Sequence, residues 1–107
     1  MQIELIELTN NGEVHNLSGH DRGLAARQRF HIAELDDASD QVVISVPDFV
    51  YTITSSFFQG MFAESVKKFA SREAFLSKYK FRAQPIVLQQ IDRGITSSLM
   101  KRGTFLS

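Results

Sequence analysis

The chain has 107 residues, 43% of them apolar, with 12 basic and 12 acidic side chains, no cysteine and a formal net charge of zero. That length suits a single domain over residues 1–107 with one core, and the composition excludes the disordered, collagenous and disulfide-framework classes. Balanced charge supplies no long-range field for nucleic acid or an anionic membrane, and it leaves homodimerisation open because little self-repulsion opposes it.

Met1 to Leu8 alternates apolar and polar residues and carries Glu4 and Glu7, unlike a signal peptide, so a cytoplasmic protein is expected. Ile3, Leu5 and Leu8 followed by Asn10-Asn11-Gly12 predict a strand closed by a hairpin turn, with Glu13 to Leu17 returning antiparallel. Ser18 to Gly23 reads as a loop in which Ser18 or Asp21 caps a helix from about Arg22 to Asp36. Leu24, Ile32 and Leu35 share one arc of that helix while Ala26, Phe30 and Ala33 share another, which implies packing against two surfaces.

Asp36 to Asp40 breaks the pattern, and the β-branched run Gln41 to Val46 predicts a central strand covered on both faces. Beyond Pro47-Asp48, the alternation of Phe49, Tyr51 and Ile53 extends a further strand to Thr54-Ser55-Ser56. Phe58, Met61, Phe62, Val66 and Phe69 then recur at helical spacing from Ser56 to about Ala70. Ser71 caps a short helix over Arg72 to Ser77, Tyr79 to Ala83 alternates as a strand, and Pro85 opens a last helix striped by Leu88, Ile91, Ile95 and Leu99. Helical crossovers demand parallel neighbours and the initial hairpin is antiparallel, so the expected fold is α/β with a mixed sheet of about four to five strands. Helices should cover mainly one face.

Little in the chain points to catalysis. His15, His20 and His31 share no metal-ligand spacing, and His20-Asp21 lies in a turn where an aspartate more often caps a helix than orients a base. No nucleophile, base and orienting group occur together, so neither an enzyme nor a cofactor or metal is expected. Arg22 and Arg27 are candidate anion ligands, against the reading that they belong to a solvated helix face. The strongest cluster is Thr54-Ser55-Ser56-Phe57-Phe58, at a helix N-terminus whose free N–H groups favour a phosphate or carboxylate. Capping accounts for one of the three hydroxyls. Adjacent helix residues point about 100° apart, so Phe57 or Phe58 offers partner contact unless the helix is buried on a wide arc.

The stretch Val42 to Phe62, with its apolar strand, aspartate turn and Ile-Thr-Ser-Ser-Phe-Phe junction, resembles the centre of a STAS domain, the fold of bacterial anti-sigma-factor antagonists. More closely it resembles a STAS-like family of unknown function, over about Gly23 to Arg102. The resemblance implies a bacterial regulatory module that binds a protein partner, such as an ATP-binding kinase-like regulator, through the junction around Ser55 to Phe58. By position Ser55 matches the phosphoacceptor serine of the antagonists, while Thr54 and Phe57 stand where those proteins usually have Asp and Gly. The rival reading is a sensory domain that binds an anion or nucleotide at the same helix start, assisted by Arg22 or Arg27.

Overall fold

The computed structural model describes residues 1–103, with side chains described through Met100; the side chain of Arg102 lies outside them. The architecture is α/β, with five strands in two parallel sheets among the described residues. Strands β1 (Gln2–Glu4), β3 (Val42–Ser45) and β5 (Tyr79–Arg82) form one sheet in the order β1-β3-β5, and β2 (Asn16–Leu17) pairs with β4 (Thr52–Ile53) in the other. The helices are α1 (His20–Arg29), α2 (Ile32–Asp37), α3 (Ser55–Phe69), α4 (Arg72–Lys78) and α5 (Pro85–Gly103).

Every strand pair is parallel, so the expected antiparallel hairpin and mixed sheet are replaced by crossovers. Glycine and asparagine turn the chain where the sequence indicates, with positive φ at Asn10, Asn11 and Gly12. The strand before the turn, however, stops at Glu4. Leu5 to Leu8 forms a single 3-10 turn, because the step from Leu5 to Leu8 is helical and buries Leu5 against β3. Thr9, fully buried, locks the corner by donating its hydroxyl to Ile6 O at 2.6 Å and accepting from Gly12 N–H at 3.2 Å. The returning segment then pairs with β4 instead of β1.

The predicted helix from Arg22 to Asp36 is also divided. It begins earlier, at His20 after an N-cap Gly19 with φ of 94°, so neither Ser18 nor Asp21 caps it. His31 interrupts it in the left-handed conformation at φ 56° and ψ 44°. This break resolves the two apolar arcs: Ala26 faces α3 in α1, and after the turn α2 can bury Ile32 and Asp36, while Leu24 remains exposed.

In the register Ile3↔Ile44↔Phe81 and Val42↔Tyr79, one face of the main sheet points inward. The opposite face carries Gln2, Glu4, Lys80 and Arg82, all exposed, around the half-buried Val43 and Ser45. The Val42 to Ser45 strand is therefore central, but covered on one face rather than two. On the inward face Phe58 and Phe62 of α3 meet Phe75, Tyr79 and Phe81, with Phe62 ring centroids 5.2 Å from Tyr79 and 5.5 Å from Phe81.

Helix α3 is the axis of the molecule, flanked by α1 on one side and α5 on the other. Each flank is brought close by glycine. A Cβ on Gly23 would lie 2.2 Å from Phe57 O, and one on Gly60 would lie 2.2 Å from His20 O, so α1 and α3 cross backbone to backbone. Gly94 of α5 makes room for the Phe58 ring, which a Cβ there would meet at 2.5 Å. Two flanks explain why both Phe57 and Phe58 are buried, at 3% and 2% exposure, despite pointing in different directions.

Candidate functional site

The two short parallel strands β2 and β4 end level with each other, joined by the Thr54 N–H donating to Leu17 O at 2.9 Å. Each is followed at once by a helix, α1 after Ser18-Gly19 and α3 after Thr54. The helices then run together from the Gly23–Gly60 crossing, so their N-termini open at the same end of the molecule. Helix N-termini carry partial positive charge, and the carboxyl ends of parallel strands are where α/β folds commonly hold ligands.

Of the three hydroxyls at the start of α3, Thr54 is the cap: its Oγ1 accepts from Phe57 N–H at 3.2 Å. The other two are not needed for that role. Ser55, half-buried, accepts at Oγ from Gln59 Nε2 at 2.9 Å, and Ser56 is exposed. Among the described residues neither serine is hydrogen-bonded to a carboxylate or imidazole that would activate it as a nucleophile.

Phe57 and Phe58 offer no surface to a partner, which corrects the expectation for Phe57. Its ring instead forms part of a cleft of about 290 Å³ between the corner after Leu8, strand β2 and α1. Arg22 lines that cleft, its stem folded over Gly19, where a Cβ would stand 3.9 Å from the arginine Cγ. Among the described residues Arg22 has no hydrogen-bond or ion-pair partner.

Arg27 sits elsewhere and is fully engaged. It donates to Met61 O and Ser65 Oγ, both at 2.9 Å, and to Asp36 Oδ2 at 3.1 Å, with side-chain exposures of 14% for Arg27 and 2% for Asp36. This corrects its candidacy as an anion ligand: the anion it holds is Asp36. Ser65 donates to Asp36 Oδ2 at 2.8 Å and the Tyr79 hydroxyl donates to Oδ1, completing a buried network that ties α1, α2, α3 and β5 together. Burial, and then the hydrogen bond to the Asp36 carboxylate, push the Tyr79 phenol far above its ordinary range, so it stays a donor. Sequence spacing carries no sign of this network, because its members lie on four elements.

The histidines are dispersed. His15 stacks on Tyr51 with ring centroids 5.5 Å apart and its Nδ1 is 2.8 Å from Phe49 O, His20 opens α1, and His31 makes the turn between α1 and α2. Comparison with family models, with curated proteins and with solved structures found no match.

Proposed function

We propose that the chain is a regulatory protein-interaction module of the anti-sigma-factor-antagonist type, engaging its partner at the start of α3 with Ser55 as the control point. The observation that carries this reading is the division of labour at the junction. Thr54 caps α3, which leaves Ser55 and Ser56 as hydroxyls at the positive end of a 15-residue helix, and their one side-chain hydrogen bond among the described residues is that of Ser55 with Gln59. A phosphate there gains on the order of 0.3–1 kcal/mol from the helix dipole, so phosphorylation is compatible with the fold. It also places close to two negative charges on a surface that a partner must desolvate, which favours release.

With Phe57 buried, the contact surface is the exposed rim: Ser56, the accessible side of Ser55, and His20 at the adjoining helix start. The test is incubation of the full chain with ATP and an ATP-binding kinase-like regulator of the same genome, read by intact mass, alongside pull-down with Ser55→Asp and Ser55→Ala. Ser55→Asp is expected to weaken capture at least tenfold while leaving the melting temperature near wild type; Ser55→Ala is expected to bind normally and take up no phosphate. Equal capture of wild type and Ser55→Asp, with no gain in mass, would refute the reading.

A further inference from the structure

The cleft beside α1 is built differently from the helix start. Arg22, Ala25, Ala26 and Arg29 fall at i, i+3, i+4 and i+7, so they line it from a single face of α1. The two alanines leave the space, and the two arginines flank them along the helix. Leu17 and Phe57, both buried, form an apolar base together with Ala26. Of the two cations, Arg29 is already neutralised by Glu7 at 3.1 Å. Among the described residues Arg22 forms no ion pair, and Asn16 and Ser18 line the same cleft as further polar groups.

We propose that this cleft binds a small monocarboxylate with a compact apolar body, its carboxylate on Arg22 and its hydrocarbon part against the accessible Leu8, Val14 and Ala25, over a floor of the buried Leu17, Ala26 and Phe57. The volume of about 290 Å³ lies near the lower end of small-molecule sites, which suits a compact ligand. One guanidinium offers a planar fork that pairs with a carboxylate or a phosphate, and it is the mainly apolar lining of the cleft, which inorganic phosphate cannot use, that favours a carboxylate carrying a hydrocarbon body. The apolar base supplies the remaining affinity and selects against small hydrophilic acids. Because Ser55 and Ser56 do not line the cleft, ligand binding here does not depend on the partner reading.

The experiment is calorimetric titration and thermal-shift measurement on the full chain with hexanoate and phenylacetate, set against hexanamide and inorganic phosphate. The carboxylates are expected to bind in the millimolar range or tighter and to raise the melting temperature with dose, and the amide to bind about tenfold more weakly, as loss of a charged hydrogen bond implies. Arg22→Gln is expected to weaken carboxylate binding by about tenfold or more and bring it level with the amide. Ala25→Leu, at an exposed helix position that tolerates leucine, is expected to fill the cleft and abolish binding with the circular dichroism unchanged. The proposal is overturned if neither carboxylate binds, if hexanamide or phosphate binds as well as hexanoate, or if both variants bind like wild type.

Discussion

The crossing of α1 and α3 offers a sharp test, because two physical effects predict opposite signs there. Gly23 and Gly60 lie inside helices, where alanine is intrinsically favoured by about 1 kcal/mol. On propensity alone, Gly23→Ala and Gly60→Ala would stabilise. The geometry says otherwise. Each new Cβ would stand 2.2 Å from a carbonyl oxygen of the facing helix, and reaching the 3.0 Å below which such contacts essentially never occur requires a retreat of 3.0 − 2.2 = 0.8 Å. The obstacle is backbone in both directions, so no side chain can swing aside. The helices must separate, loosening Phe57 and Met61 and the Arg27 contact to Met61 O. Overpacking of a core costs about 1–3 kcal/mol, and a backbone clash belongs at the upper end. Setting about 3 kcal/mol of steric cost against about 1 kcal/mol of helix propensity leaves a net loss of about 2 kcal/mol, or a fall in melting temperature of roughly 8–16 °C for a domain of this size. Urea and thermal unfolding of each single variant measure it. The double variant should cost clearly less than the sum, since the first substitution already parts the helices. A melting temperature for Gly60→Ala at or above wild type would refute the argument and mean that the helices are not in backbone contact.

Ala70 closes α3 in the left-handed conformation at φ 68°, where glycine has no Cβ penalty, so Ala70→Gly should raise stability by about 1 kcal/mol in urea unfolding; destabilisation would argue against that helix ending. Val43 and Ile44 are neighbours on one strand but face opposite sides of the main sheet, so Ile44→Asp should abolish the cooperative melt by burying an unpaired carboxylate while Val43→Asp stays folded, and equal losses would mean that the outer face is covered.

Much of the fold is legible in the residue order, because it rests on local chemistry. The spacing of Phe58, Met61, Phe62, Val66 and Phe69 specifies a helix, Ser71 caps the next one, and the β-branched run at Val42 to Val46 specifies a strand. The placing of three hydroxyls at the entrance to α3 is a local signal of the same kind, although which of them caps is not. What the sequence by itself could not determine is which element each of these meets. A turn at Asn10 to Gly12 specifies a reversal but not the strand that accepts the returning chain, and here β4 does. Burial of both Phe57 and Phe58 depends on helices flanking α3 on two sides, and Arg27 becomes structural because α3 brings Met61 O and Ser65 to it and α2 brings Asp36. Periodicity encodes the direction in which a side chain points along its own element. The surface it points at is set by pairings between residues far apart in the chain, and these are decided only when the whole core packs at once.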